Sequence, residues 1–422
     1  MAVTHPRNRW LKIGLVALGA TLLLTAGLAV FTRDLPIPAP TGPHAVGFTE
    51  SVVLEKSQTS SPARPISMDI WYPARSTKGH TAEPYSDRLL NAEIAKSLKL
   101  PPVLGTVTPS YSFRDAPALE GQHPVVVFNH GFGSFTRQNF SNFQELASHG
   151  YLVISIGHPG DSLVARDAEG QPILLDTQSP THLAVTAQQK DLQQFLKHNA
   201  TLLEQQRMAK DFEAYLQASR DMNQIAPFQQ LSTQINRWVQ DTTVVLEALQ
   251  DSSGVLTHAD ANQVVLMGHS LGGVVAQHFA QHPLAGIKGI INLDAPFVQR
   301  NPIWTHLKVP TLNLLSTQYT LQKQNVAVAG SMDPLFQHSS AGSYVLEIPG
   351  TAHYNFSDMN YVQALRLTPM LGRIDGLKME KLLNTAVLTF LQRLKEPATL
   401  GQPLLKEASV REVFFSARRS DD

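Results

Sequence analysis

A serine hydroxyl becomes a nucleophile at neutral pH only when a base takes its proton and a third group orients that base. One serine in this 422-residue chain is placed for such work. The short apolar run Val264-Val265-Leu266-Met267 ends in Gly268-His269-Ser270-Leu271-Gly272, and the helix-like stretch Val274–Ala280 follows almost at once. Strand, Gly-x-Ser-x-Gly and helix together make a nucleophile elbow, a strained turn that holds the hydroxyl out above a sheet. Gly268 and Gly272 are required because a side chain at either position would strike the neighbouring strand or helix. A chain of this length offers roughly 0.1 such pentapeptides by chance, with glycine and serine each near ~7% of residues. The placement between strand and helix therefore carries more than the pattern does.

In the chain order serine, acid, histidine, the base lies downstream of Ser270 on a loop at the carboxyl end of a strand. The histidines available are His278, His282, His306, His338 and His353. His278 and His282 sit on the elbow helix and point along it, away from the hydroxyl. Their i,i+4 spacing could hold a metal, but no third ligand is evident, so no metal or cofactor is expected. His306 precedes a strand rather than following one. His353 follows the last strand in the glycine-bearing loop Pro349-Gly350-Thr351-Ala352-His353 and is the expected base. For the acid, Asp294 stands immediately after the strand Gly286–Leu293, and Asp333 is the rival on a later loop. The usual position, after the strand ending Leu314-Leu315-Ser316, holds no carboxylate. Asp358 is too near His353 in sequence. An aspartate at a strand end can also be a plain turn-former.

The oxyanion of acyl transfer needs two preorganised backbone N–H groups. Leu271, directly after the nucleophile, supplies one. The loop His130-Gly131-Phe132-Gly133 supplies the other, with Phe132 as donor and the glycines shaping the loop.

These residues need a sheet whose carboxyl edge gathers them. Pro124–Asn129 is a continuous apolar run of the kind buried on both faces of a parallel sheet. A helix near 139–149 and the strand Leu152–Ile156 complete a βαβ unit. Two earlier strands, around 45–54 and 66–72, are expected to pair antiparallel. Residues 74–122 resist assignment apart from a short helix at 89–100. Residues 176–250 are helical and glutamine-rich. One apolar stripe there runs through Leu192, Phe195, Leu196, Leu202 and Leu203, another through Ile235, Trp238, Val239, Leu246 and Leu249. The second stripe predicts the crossover helix into the elbow strand, and the first an inserted cap. Strands at 310–316 and 343–348 follow. A closing helix buries Met379, Leu382, Leu383, Val387, Phe390, Leu391 and Leu394. The organisation expected is a 1–34 N-terminal segment, a 35–44 spacer, a 45–396 catalytic domain and a 397–422 surface tail that Phe414 and Phe415 could dock. The fold class is α/β: a mostly parallel central sheet with helices on both faces and an inserted helical cap.

Composition narrows the setting. Formal net charge is zero, with 34 basic and 34 acidic residues, so there is no basic excess of the kind a nucleic-acid partner requires. The absence of cysteine removes disulfides, thiolate metal sites and a lipidated cysteine anchor. Arg7, Arg9 and Lys12 precede the uncharged run Ile13–Phe31. That run is roughly 19 residues, about 28 Å as a helix, which suits a bilayer core and exceeds an ordinary signal-peptide core. The positive flank predicts a signal-anchor, or else a cleaved signal peptide, with the catalytic body exported to the periplasm or cell exterior. Pro36, Pro38, Pro40 and Pro43 then form a stiff spacer off the membrane.

Taken together, Val125–Gly133, Ala147-Ser148-His149-Gly150-Tyr151, Gly268–Gly273, Leu293-Asp294-Ala295, His353–Asp358 and Gly372-Arg373-Ile374-Asp375 resemble the platelet-activating factor acetylhydrolases, calcium-independent serine phospholipases of the α/β-hydrolase fold. The resemblance spans about residues 45–395 with gaps. It implies Asp294 rather than Asp333 as the acid, alongside Ser270, His353 and the Phe132 and Leu271 donors. It also implies a phospholipid substrate with short or oxidised acyl groups. Two other readings remain open: a general carboxylesterase or polyester hydrolase without lipid preference, and an inert hydrolase-like binding protein. Oligomeric state is not legible.

Overall fold

The computed structural model describes residues 37–416 apart from 56–62, 99–109, 191–204, 206–210, 224–225, 251–252, 296–306, 318, 322–323, 327–335, 337–338, 363–364, 367 and 369. The Ile13–Phe31 run, the Leu192–Leu203 stripe, His306, Asp333 and His338 fall outside these residues. Among the described residues no helix is long and apolar enough to cross a membrane.

The order of elements is β1 (Ala45–Leu54), β2 (Pro65–Ala74), α1 (Arg88–Ser97), β3 (Ser112–Arg114), β4 (His123–Asn129), α2 (Phe140–Ser148) and β5 (Leu152–Gly157). A small hairpin, β6 (Val164–Arg166) and β7 (Pro172–Leu174), leads into helices α3 (Pro180–Lys190), α4 (Phe212–Asn223) and α5 (Ala226–Ala248). Then come β8 (Ala259–His269), α6 (Leu271–Gln281), β9 (Ile287–Leu293), β10 (Thr311–Ser316), the short pair β11 (Tyr319–Leu321) and β12 (Gln324–Val326), β13 (Ser343–Ile348), α7 (Gly376–Lys395) and β14 (Arg411–Phe415). Ten strands form one sheet in the order β14-β13-β10-β9-β8-β4-β5-β2-β1-β3. The six central strands, from β13 to β5, run parallel. The expected β1–β2 pair is antiparallel, as is the β2–β5 junction. This is the α/β-hydrolase fold, with a mostly parallel sheet and helices on both faces.

Successive side chains of a strand point to opposite faces, so a sheet covered on both sides needs apolar residues at every position. Strand β4 meets that demand. Val125 and Val127 join Leu266, Ile154 and Trp238 in one core, under α5 and α6. Val126 and Phe128 join Met267, Val153, Phe143 and Phe390 in the other, under α2 and α7. Helix α5 buries Ile235, Trp238 and Leu246 and packs on α6, β1 and β5, the crossover its stripe predicts. Helices α3 and α4 lie on α5.

The C-terminal stretch differs from the surface tail expected of it. Residues 411–415 add an antiparallel edge strand to β13, with Tyr344 opposite Phe414 and Ser343 opposite Phe415. Alternation in Arg-Glu-Val-Phe-Phe is too weak to announce a strand. The exposed backbone edge of β13 supplies the pairing that its pattern does not.

The chain passes from β4 to β5 on one side and returns to β8 on the other. That reversal falls at the carboxyl ends of β4 and β8, the topological position at which open α/β sheets bind ligands. The loop after β4 and the elbow after β8 border it.

Candidate active site

Ser270 adopts φ 54°, ψ −122°, a left-handed conformation that a residue with a side chain adopts at a cost of about 1–3 kcal/mol. The surroundings enforce it. Ser270 N–H donates to Leu293 O at 3.1 Å, and its carbonyl accepts from Gly273 N–H at 2.9 Å to start α6. A Cβ on Gly268 would run into the Gly272 carbonyl, and one on Gly272 into the Asn129 carbonyl of β4. The two glycines therefore let helix and strands close on the turn.

Asp294 is one of only three non-glycine residues at positive φ among those described, Ser270 being another. Its N–H donates to Leu314 O at 2.8 Å, which turns the carboxylate toward the sheet edge. Oδ1 accepts from Ser316 N–H at 2.7 Å. Oδ2 accepts from Ser316 Oγ at 3.0 Å and lies 2.8 Å from His353 Nδ1. Since a carboxylate only accepts, Nδ1 carries the ring proton and Nε2 is left as the basic nitrogen. Asp294 is 2% exposed and His353 23%, so the carboxylate is sealed and the imidazole opens to solvent. The strand end that carries no carboxylate thus still contributes: Ser316 holds the aspartate arriving from the strand before it. The loop of His353 is tied down by Asn355, whose Oδ1 accepts from Ala352 N–H at 2.8 Å and Gly372 N–H at 2.7 Å.

The loop after β4 is built to orient one peptide. Gly131 O accepts from Ser134 N–H at 3.0 Å and faces His130 Nδ1 at 2.7 Å. Gly131 N–H donates to Gln138 Oε1 at 2.9 Å. In a planar trans peptide the Phe132 N–H opposes the Gly131 carbonyl, so it points away from His130 and Ser134. Leu271 opens α6, where the first N–H groups have no acceptor within the helix and carry its positive end. Phe132 is half-buried, its ring 6.1 Å from that of His182 on α3, so the inserted helices reach this loop.

Behind the loop lies a buried polar network that the sequence did not reveal. His130 Nε2 sits 2.6 Å from Ser162 Oγ, which in turn accepts from His158 N–H at 2.8 Å. His158 stacks on Trp238, centroids 3.8 Å apart, and its Nδ1 lies 2.8 Å from Asp241, which Arg64 also contacts. Burial, with His158 nearby, pushes His130 down to about 3. Burial, then Arg64, holds His158 well below the usual range. Burial outweighs Arg64 and raises Asp241 to about 7. His130 is thus neutral across ordinary pH and can serve as a fixed N–H donor to Gly131. The only local hint was the histidine of His-Gly-Phe-Gly; the serine that bonds its Nε2, Ser162, lies 32 residues away along the chain.

The structure brings Asp294 and His353 into contact at the carboxyl edge of the sheet, with Ser270 and Leu271 at the end of the neighbouring strand β8 and the Gly131–Phe132 loop beside Ser270. Asp358 goes elsewhere, its carboxyl group accepting from Ser141 N–H and Oγ on α2. His278 on α6 and His282 at its C-terminal cap lie together, ring centroids 5.2 Å apart. Among the described residues no group of three His, Asp or Glu could hold a metal ion.

The family described as "Platelet-activating factor acetylhydrolase, isoform II" matches residues 29–400. A platelet-activating factor acetylhydrolase of Cavia porcellus is 23% identical over 371 residues, covering 85% of this chain and 77% of that protein. One of Bos taurus is 22% identical over 276 residues, 64% of this chain and 57% of that protein. Among solved structures, a ferulic acid esterase from Streptomyces cinnamoneus superposes with TM-score 0.64 at 17% identity, over 90% of this chain and 99% of that one.

Proposed function

The chain belongs to the platelet-activating factor acetylhydrolase, isoform II, family, and from that membership and the geometry above we propose a serine hydrolase that removes short or oxidised acyl groups from phospholipids. Membership of the family makes it an ester-hydrolysing enzyme; the serine mechanism and the lipid substrate are our reading. Ser270 Oγ attacks the ester carbonyl carbon while His353 Nε2 takes its proton, and Asp294 steadies the resulting imidazolium. The oxyanion formed meets the Phe132 and Leu271 N–H groups; losing one such donor typically costs ~2.7–4 kcal/mol of transition-state stabilisation. Collapse expels the alcohol with the proton from His353 and leaves an acyl-Ser270 ester. Water, deprotonated by His353, then releases the carboxylic acid.

The observation that carries this reading is the 2.8 Å contact of His353 Nδ1 with a sealed Asp294, 59 residues apart in sequence, at the sheet edge where Ser270 is held in a strained turn. Ser270→Ala should abolish turnover of a short-chain nitrophenyl ester and labelling by a fluorophosphonate; retained turnover would end the reading. An unlabelled wild-type enzyme would point to an inert binding protein. Phosphatidylcholines graded by sn-2 chain length, run beside simple alkyl esters, test the substrate. Preference for the acetyl lipid is expected, and equal use of alkyl esters would favour a general carboxylesterase.

The basic residues ahead of Ile13–Phe31 support an exported catalytic body held at a membrane. Protease added to intact cells or spheroplasts expressing the full chain should then digest residues 45–395. Protection until lysis would refute the placement.

A further inference from the structure

The residue between Gly268 and Ser270 carries a side chain that the serine chemistry does not use. His269 ends β8 and is 2% exposed. Its Nε2 lies 3.0 Å from the main-chain oxygen of His353, 84 residues further on. A carbonyl oxygen only accepts, so this nitrogen carries the proton. Nδ1 is then a bare lone pair, buried and without a hydrogen-bond partner among the described residues. It faces Gly131, where a Cβ would come within 3.1 Å of it. The His269 ring centroid is 4.5 Å from that of His353, with planes inclined by 33°. One neutral imidazole is therefore wedged between the loop that carries Phe132 and the loop that carries His353.

We propose that His269 is a positioning residue for ester hydrolysis, its Nε2–H fixing the main chain of His353 while its ring spaces that loop from the Gly131–Phe132 peptide. This rests on the serine-hydrolase reading above. Asp294 restrains the His353 ring at Nδ1, and Asn355 ties the backbone at Ala352, one residue before it. The bond from His269 restrains the backbone from which the ring hangs, so ring and root are both fixed and Nε2 of His353 is left one place to lie. The restraint comes from the residue next to Ser270, so nucleophile and base move together. A misplacement of about 1 Å at such a pair can cost on the order of 100-fold in rate.

Charge fits the same role. Burial, and after it the neighbouring His353, holds His269 well below the ordinary histidine range. It stays neutral when His353 becomes cationic. A second cation at that distance would oppose proton transfer from Ser270.

A ring that merely fills space is replaced best by another ring, whereas a positioning donor is replaced best by another N–H. The test compares His269→Phe, His269→Leu and His269→Gln in the full chain. It uses a short-chain nitrophenyl ester, with the inactivation rate by a fluorophosphonate and the melting temperature measured in parallel. Phe and Leu should lower kcat by 10- to 100-fold with KM within about 2-fold, and slow fluorophosphonate inactivation in proportion. Gln, whose amide can donate to the His353 carbonyl, should recover to within about 5-fold of wild type. A Phe variant as active as wild type, or a Gln variant no better than Leu at equal melting temperature, overturns the proposal. Should Phe fail to fold, the Gln–Leu comparison decides alone. If wild type and Ser270→Ala are equally active, the serine reading has failed instead; an active wild type and a dead Ser270→Ala put the result on His269.

Discussion

Replacing Asp294 by asparagine changes one atom and, by the structure, should reverse the protonation pattern of His353. The carboxylate makes three contacts. Oδ1 accepts from Ser316 N–H, and Oδ2 accepts from Ser316 Oγ and His353 Nδ1–H. An asparagine has one oxygen and one NH2 to place in those positions. Ser316 N–H is a main-chain donor on β10 and cannot turn away, whereas the Ser316 hydroxyl can rotate from donor to acceptor. The amide oxygen is therefore held at the Oδ1 position, and the NH2 falls opposite His353 Nδ1. Two donors cannot face each other, so the histidine shifts its proton to Nε2 and Nδ1 accepts. A protonated, neutral Nε2 cannot take the proton of Ser270. An aspartate-to-asparagine change acting through the wrong tautomer costs on the order of 10⁴ in kcat, about 5 kcal/mol at 1.36 kcal/mol per decade. The assay is nitrophenyl ester hydrolysis at substrate concentrations spanning KM, with thermal melting to establish that the variant is folded. KM should move little, because the ester never touches Asp294. A folded Asp294→Asn enzyme within 10-fold of wild-type kcat would refute the reasoning. Asp333→Asn, run beside it, should stay within about 2-fold.

Two further outcomes follow from packing and burial. Gly272→Ala would drive a methyl group into the Asn129 carbonyl where α6 meets β4; backbone on both sides leaves no room to yield. It should cost at least the about 1–3 kcal/mol usual for overpacking, read as a lowered urea midpoint, and an unchanged midpoint would contradict the close approach. Burial pushes the Asp358 carboxyl up to about 8 from its ordinary 3.8, against hydrogen bonds from Ser141 and with Glu380 adding to the rise. The folded chain therefore keeps a proton that the unfolded chain releases above about pH 4. The contribution is fully present below the ordinary value, and stability falls as pH rises toward 8. Asp358→Asn should flatten the decline in urea midpoint between pH 5 and 8; a slope equal to wild type would show that Asp358 ionises freely in the fold.

Much of the candidate site was written locally. The elbow needs only residues within a few positions of Ser270: two glycines for the close approach and apolar runs for strand and helix. The uninterrupted β4 run announced a doubly covered sheet, because each successive side chain must face a different core. His353 and Asp294 stood as candidates because strand ends can be read from where apolar runs stop, and the fold sets the two 2.8 Å apart. The supports of these groups could not be read so, since hydrogen-bond partners are chosen by proximity in space and carry no periodic signature. Ser316 meets Asp294 across 22 residues, His269 meets His353 across 84, and Arg64 meets Asp241 across 177. Residues 411–415 became a strand because an open edge of β13 was available, a property of the sheet and not of the pentapeptide. The sequence by itself determined which side chains could do the chemistry and at which strand ends they stand. The tertiary structure alone decided what holds them there: which oxygen of Asp294 faces His353, which way the Phe132 peptide points, and which buried groups stay neutral. Those depend on desolvation and on contacts that exist only once the sheet is assembled.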